Sequence, residues 1–331
     1  MLEDKTFSAD VLKLDFDQET EKITRAVREV ILKRFKKRGA VVALSGGIDS
    51  SVVGALCVRA LGKRHVLGLL MPEQDSASET MGLSRLISDH LGIETVHENI
   101  SGILDAVGCY RHRDEAIRSV VPEYTSEYKS KIVLPGVMDD DTYRIFSVIV
   151  QSPEGEQKKV RLTPSAYLGI VAATNFKQRT RKMLEYYHAD RLNYAVTGTP
   201  NRLEYDQGFF VKLGDGAADI KPIAHLYKTQ VYEMARFLGL PDDICSRPPT
   251  TDTYSLAQSQ EEFYFSVPYD KMDLCLYGKN HGVSSKEVAD AAGMTSEQVE
   301  RVYHDIDAKR KATRYLHAAP VLIDPITESS S

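Results

Sequence analysis

Residues 41–51, VVALSGGIDSS, constrain the fold more than any other stretch of this chain. Val41 to Leu44 are apolar over the length of one buried strand. After Ser45, Gly46, Gly47, Ile48, Asp49, Ser50 and Ser51 the pattern changes, and Val52, Val53, Leu56, Cys57 and Ala60 recur at helical spacing. The segment reads as strand, glycine turn and helix. Adjacent glycines allow a tight turn and let a ligand approach backbone amides with no side chain in the way. The first amides of the following helix lack internal partners and lie at the positive end of its dipole. Together they predict a phosphate cradle. A carboxylate at Asp49 suits such an anion site if a cation accompanies the phosphate, which points to magnesium. The simpler reading is a tight turn with Ser50 as helix cap. Neither GxxxxGK[ST] nor a GxGxxG after a strand occurs, so the loop belongs to neither of those nucleotide-binding types.

The rest of the chain continues the alternation. Residues 16–37 predict an amphipathic helix through Ile23, Val27, Val30, Ile31 and Phe35, with Gly39 able to end it. The basic run from Lys33 to Arg38 falls at that helix end, where cations suit the dipole. VLGLLMP at 66–72 and ETVHENI at 94–100 read as strands, with a helix over 75–92 between them. Crossovers of this length predict a doubly wound parallel sheet of the α/β class, with ligand at the carboxyl ends of its strands. From about 105 to 168 the alternation lapses. RIFSVIVQ and QKKVRL flank a turn at Pro153–Gly155 as a hairpin, and Asp139–Asp141 with the mixed stretch before them read as surface. This excursion is expected to be an inserted lid or a partner surface. A helix over 169–190, a strand at 192–199, a glycine- and aspartate-rich loop from 208 and a helix from Lys228 to Leu238 follow. The chain is thus expected to form one domain over residues 1–331, with the excursion at 105–168 and a helical tail at about 270–320.

Composition limits the partners. With 331 residues, 42% hydrophobic and 27% charged, the chain can build a full core. A net charge of -5 gives no general drive toward nucleic acid. VSSKEVADAAGMTSEQVERVY at 283–303 has the pattern of a helix-turn-helix. Its second helix, however, carries Glu297, Gln298 and Glu300 beside Arg301, where a recognition helix needs donors. A packed helical hairpin is the expectation, with no nucleic-acid partner. No apolar run reaches membrane-spanning length and no signal peptide is evident, so no membrane partner is expected. Cys57, Cys109, Cys245 and Cys275 form no CxxC pair and read as buried, reduced thiols of a cytoplasmic protein.

SGGIDSS resembles the PP-loop of the N-type ATP pyrophosphatases. Four further stretches in order, NFKQRTRKM (175–183), TGTPNRLEY (197–205), KLGDGAADIKPIAHLYKTQ (212–230) and PPTTD (248–252), resemble the NAD synthetase family, GDGAADI most specifically. The resemblance implies the adenine nucleotide alpha hydrolase-like form of the sheet. The chain starts close to the synthetase region, with no room for a nitrilase-like glutaminase, so the ammonia-dependent type is expected. The implied reaction is ATP-dependent amidation of deamido-NAD through an acyl-adenylate, giving NAD, AMP and pyrophosphate. ATP is then co-substrate and Mg2+ the cofactor. Ser45, Gly46, Gly47, Asp49 and Ser50 match the family's phosphate loop, and Asp49 and Glu204 its magnesium ligands. Lys228 and Thr250 match groups on the phosphate tail, and Thr199 an ATP contact. Asn175, Arg179 and Lys212 match the deamido-NAD site, while Asp215 and Asp219 match the acidic loop near substrate and incoming nitrogen. The family works as homodimers, so a dimer is implied. A separate glutaminase chain could supply ammonia by docking on the excursion.

Three departures stand out. EEFYFS at 261–266 puts Tyr264 where the family carries a glutamate and Ser266 where it carries a glycine. MPEQDSASE matches loosely, and the excursion is long. Two rivals follow. One is a related ligase adenylating another carboxylate. The other is a nucleotide-sensing or DNA-binding regulator on the same fold, against which the two metal carboxylates and Lys228 argue.

Overall fold

A computed structural model describes residues 7–76, 78–134, 146–247, 254–256, 258–265 and 267–324 of the chain. Helix α1 (Phe16–Arg28) starts at Asp15, whose carboxylate accepts the Gln18 amide, and widens into a π-type turn over Glu29–Arg34. The chain then reverses at Lys36 with φ of 54°, three residues before the expected Gly39. Strand β1 (Ala40–Ala43) leads through the glycine loop into α2 (Ile48–Leu61). Next come β2 (Val66–Leu70), α3 (Ser78–Leu91) and β3 (Glu94–His97). Helices α4 (Ser101–Ala106) and α5 (Cys109–Arg118) precede a three-stranded antiparallel sheet of β4 (Lys129–Val133), β5 (Ser147–Gln151) and β6 (Gln157–Arg161). Helix α6 (Pro164–Leu192) returns the chain to β7 (Ala195–Thr197). The remaining helices are α7 (Arg202–Gln207), α8 (Lys228–Phe237), one-turn α9 (Asp242–Cys245), α10 (Tyr269–His281), α11 (Ser285–Ala292) and α12 (Ser296–Thr313).

The main sheet is parallel throughout, in the order β3-β2-β1-β7. Strands β1, β2 and β7 are buried on both faces because both are covered, while the edge strand β3 is largely exposed. Ala40, Val42, Val66, Leu70 and Ala195 pack with α1, α2 and α8 on one side. Val41, Leu67, Leu69 and Val196 pack with α4, α5 and α6 on the other. The alternation of side chains along a strand thus divides one apolar run between two cores. This is the doubly wound arrangement expected. Its strand crossovers bring the carboxyl ends of β2, β1 and β7 side by side, where residues 71–76, 45–47 and 197–200 emerge.

The excursion is more ordered than its mixed sequence suggests. The hairpin of β5 and β6 pairs Ser147 with Arg161 and Gln151 with Gln157, and turns at Gly155 with φ of 93°. The stretch read as surface contains β4, where Ile132 is buried in a core shared with Ile117, Val148, Leu162 and Ile170. Residues 139–141 lie outside the described part. In the tail, α11 and α12 meet at Gly293 and bury Val288, Ala289, Val299, Val302 and Ile306 against α10. All four cysteines are buried free thiols. Among the described residues no helix is long and apolar enough to cross a membrane.

Candidate functional site

The three strand ends open on a cleft of about 830 Å³, walled further by α3, α6, α7 and α12 and by Leu134 and Phe146 beside the small sheet. Ser45, Gly46, Gly47, Asp49 and Ser50 form its floor at the end of β1. Gly46 has φ of 72°, a conformation costly for any other residue. A Cβ there would sit 2.7 Å from Leu83 Cβ and 2.9 Å from the Ser84 amide nitrogen, so α3 packs directly on the loop. Gly46→Ala is therefore expected to weaken ATP binding about ten-fold, measured by calorimetric titration, and to lower stability by roughly 2 kcal/mol. Gly47, not Ser50, caps α2. Ser50 is buried, donates from Oγ to the Gly47 carbonyl (3.0 Å) and accepts from the Ser45 amide (3.3 Å), which holds the loop closed on itself.

Asp49, in the first turn of α2, points its carboxylate at two partners. Its Oδ1 accepts from Asn201 Nδ2 at 2.9 Å, and its Oδ2 pairs with the Lys228 ammonium. Asn201 is the N-cap of α7 and accepts the Leu203 amide (2.9 Å) and the Glu204 amide (3.2 Å). Glu204 closes the capping box by accepting the Asn201 amide (3.1 Å), and its other oxygen accepts from Gln260 Nε2 (3.3 Å). Glu204 lines the cleft. Burial, and then the Asp49 carboxylate, push its proton affinity up to about 8. Burial works against the Lys228 charge, yet Asp49 and Glu204 outweigh it and hold the proton more tightly than on an ordinary lysine.

Lys228 does not open on the cleft. It is 0% exposed at the first position of α8, and its ammonium lies behind Asp49, over the rings of Tyr232 (6.0 Å) and Tyr269 (5.5 Å). The start of α8 is fixed by Asp273 of α10, which accepts the Lys228 amide (3.2 Å) and the Thr229 amide (2.7 Å) and hydroxyl (2.6 Å). The ammonium pairs with Asp49 and lies off the cleft wall, so a place on the phosphate tail remains a proposal for the ATP-bound enzyme.

The pair Asp49 and Glu204 fits a hard divalent cation. Burial first, and then the neighbouring Asp49 charge, raise the proton affinity of Glu204 despite the opposing Lys228 ammonium, so the pair would welcome a further cation. Among the described residues no three His, Cys, Asp or Glu side chains gather into a complete metal site. A cation held there would take its other ligands from phosphate oxygens and water, the usual habit of magnesium.

Thr199, Asn175, Arg179, Lys212 and Asp215 also line the cleft. Arg179 Nε donates to the Lys212 carbonyl (3.3 Å), and Lys212 Nζ donates to the carbonyls of Tyr315 (2.7 Å) and Ala318 (3.0 Å), tying the tail beside the cleft. Asp215 Oδ1 accepts the Val211 amide at 2.7 Å. Burial raises its proton affinity, in part offset by that amide and by Lys182. Asp219, four residues on, is not beside it. Asp219 accepts the Val196 amide (2.8 Å) and the Tyr186 hydroxyl (3.3 Å), and lines a separate pocket of about 250 Å³ with Phe35, Lys37, Tyr186 and Tyr194. The residue after Asp219, Ile220, forms a bridge to Thr197 at the edge of the sheet. Thr250 and the PPTTD stretch lie outside the described residues.

Tyr264 takes part in an aromatic wall of the cleft. Its ring stacks on Phe209 at 4.5 Å, its hydroxyl donates to the Gln207 carbonyl (2.8 Å), and its own carbonyl accepts from Lys309 (2.6 Å). Asn201, Gln260 and Asp273 were not singled out in the sequence. The Asn-x-x-Glu spacing of a capping box was there to be read at 201–204; nothing local marks Gln260 or Asp273.

The profile of the NAD synthase family matches residues 19–123 and 147–314. It omits only 124–146 within that span, a shorter break than the excursion set at 105–168. The NH(3)-dependent NAD(+) synthetase of Rhizobium meliloti (strain 1021) is 60% identical over 322 residues, covering 97% of this chain and 96% of that protein. Among solved structures, the NH3-dependent NAD synthetase of Campylobacter jejuni, in complex with nitrate, superposes with a TM-score of 0.62 at 22% identity, over 94% of this chain and all of that one. A protein named NMN synthetase from Francisella tularensis gives the same TM-score, 0.62, at 21% identity with the same coverage. At such identities these two structures speak for the fold alone.

Proposed function

The chain belongs to the NAD synthase family, and from that membership and the chemistry of its cleft we infer that it is an ammonia-dependent NAD synthetase. It uses ATP to amidate deamido-NAD, giving NAD, AMP and pyrophosphate. The observation that carries the reading is the meeting, in one cleft, of the glycine loop with the neighbouring carboxylates Asp49 and Glu204.

The reaction needs little from the protein beyond position and charge, because the nicotinate carboxylate is its own nucleophile. It attacks the α-phosphorus of ATP, the α–β bridge breaks, and pyrophosphate leaves with the acyl-adenylate formed. The amides at Gly46 and Gly47 and the first turn of α2 receive phosphate oxygens. Asp49 and Glu204 would hold magnesium, which supplies charge neutralisation on the departing pyrophosphate. Lys228 pairs with Asp49 from behind and orients its carboxylate. Thr199 and Thr250 are proposed ATP contacts, and Asn175, Arg179 and Lys212 grip the anionic dinucleotide. Ammonia then attacks the acyl carbon, the bond to AMP breaks, and Asp215 accepts a proton from the entering nitrogen. Asp219 is kept as a proposed substrate contact on the match of its loop alone, since it lines a pocket separate from the cleft that holds Asp215.

Other parts of the reading rest on surface features. Helix α6 exposes Leu168, Met183 and Tyr187, at 63%, 56% and 59%, on one side, and this unpartnered stripe supports a homodimer. We place the enzyme in the cytoplasm as one synthetase domain, with ammonia arriving free or from a separate glutaminase chain.

Mass spectrometry of the products from deamido-NAD, ATP, magnesium and ammonium tests the reading. NAD and AMP are expected in equal amounts. Nicotinate mononucleotide belongs in the same experiment as competitor, because a protein named NMN synthetase shares the fold. Amidation of the mononucleotide in preference would overturn deamido-NAD as substrate.

A further inference from the structure

A buried ionic cluster outside the reacting groups joins the excursion to the cleft. Arg113 of α5 donates from Nη1 to Asp75 Oδ2 (2.6 Å) and from Nε to Asp114 Oδ1 (2.9 Å). Lys177 of α6 donates to Asp75 Oδ2 (2.7 Å) and to Glu73 Oε1 (2.9 Å). The Tyr110 hydroxyl, also on α5, donates to Glu73 Oε2 (3.0 Å), which in addition accepts the Asp75 amide (3.0 Å). Glu73, Arg113 and Lys177 are each at least 95% buried. Charges so far from water persist only when fully partnered, and their fixed geometry makes such clusters orienting devices more than sources of stability.

What the cluster orients is the turn that follows β2. The Glu73 amide donates to Ser76 Oγ (3.1 Å) and the Ser76 amide to the Glu73 carbonyl (3.0 Å), so the acidic pair and the turn form one unit. The turn leads into α3, and Ser76, Thr80, Met81 and Ser84 line the cleft along it. The same helix presses Leu83 and Ser84 against Gly46. A displacement of the turn would therefore be felt at the phosphate loop.

We propose that Arg113 and Tyr110 are positioning residues for ATP, setting the 73–76 turn and α3 against the glycine loop through Asp75 and Glu73. This gives α5, within the excursion, a part in the reaction that needs no direct contact with substrate. It rests on the reading of the cleft as an ATP site and goes beyond it.

The test is calorimetric titration of the full-length protein with ATP and magnesium, alongside the KM for deamido-NAD and the Tm. Arg113→Met is expected to weaken ATP binding about ten-fold, and Tyr110→Phe, which removes one hydroxyl and leaves the packing, about three-fold. Arg113→Lys, with one donor direction in place of a fork, should fall between Arg113→Met and wild type. The KM for deamido-NAD should stay within about two-fold in Tyr110→Phe and Arg113→Lys. ATP affinity unchanged in both of these variants overturns the proposal. So does an equal loss for ATP and deamido-NAD that tracks the Tm. Wild-type protein that binds ATP but forms no NAD overturns the assigned reaction and leaves the positioning role standing, because the titration does not involve the acid. Wild-type protein that binds no ATP overturns both.

Discussion

Lys228→Met is expected to slow ATP–pyrophosphate exchange about 10²- to 10³-fold, or roughly 3–4 kcal/mol of transition-state stabilisation. The substitution keeps the length of the side chain and removes its charge. Asp49 then retains only Asn201, and two neighbouring carboxylates face each other with no cation between α8 and the cleft. Loss of one partner from a buried pair commonly costs about 3–5 kcal/mol of stability. The lower end is expected, because the Asp49 side chain is 16% exposed and can draw on cleft water. The magnesium dependence separates two roles. If Lys228 acts behind Asp49, its removal takes away a cation that competes for the carboxylates, and the half-saturating magnesium concentration falls. If Lys228 leaves Asp49 to grip phosphate during the reaction, the KM for ATP rises and the magnesium dependence holds. The position of the ammonium, 0% exposed and off the cleft wall, favours the first outcome. A rise in the magnesium requirement would contradict it.

The ion pair between Lys228 and Asp49 shows where sequence reading reaches its limit. The glycine loop was legible because strand, turn and helix are contiguous, so residues 40–61 carry both the local conformation and its consequence for phosphate. The sheet was legible for a similar reason: apolar runs alternating with amphipathic helices admit few topologies. Which atom a buried lysine meets is set instead by packing between distant segments. Lys228 lies 179 residues from Asp49 and 45 from the Asp273 that fixes its helix. Arg113 and Lys177 likewise meet Asp75 across 38 and 102 residues. In MPEQDSASE, Glu73 and Asp75 meet side chains of α5 and α6, an interaction with no local signature. Asp215 and Asp219 show a different limit. Four residues apart in a loop, they looked like one acidic site, but a loop has no period to say which way each side chain turns. Strand β4 was missed because KSKIV alternates lysine with buried residues, the pattern of a sheet covered on one face, within a stretch that read as surface.

Asp215→Asn should leave adenylation near its wild-type rate and slow amide formation about 10²-fold, the usual scale for loss of a positioned base. ATP–pyrophosphate exchange measures the first step without ammonia, and NAD formation from preformed adenylate measures the second. The pH dependence carries more information than the rate. Burial raises the proton affinity of Asp215 above the ordinary 3.8, with the Val211 amide and Lys182 pulling the other way. As a base the group works only when ionised, so the second step should rise with pH through this elevated value. That limb should vanish in the asparagine variant when free ammonia, rather than total ammonium, is held constant. Stability has the opposite sign. A carboxyl whose folded-state pKa is raised binds its proton more tightly folded than unfolded, so its contribution is fullest below 3.8 and is lost as pH rises through the folded value. At neutral pH the buried charge is a cost, and a neutral amide that still accepts the Val211 N–H removes it. Asp215→Asn should therefore melt no lower than wild type at pH 7 while being the slower enzyme, the pattern of a group kept for chemistry at some expense to the fold. A variant that lost both steps equally, or that melted lower at neutral pH, would make Asp215 a structural part of the 208–227 loop and leave the proton to another acceptor.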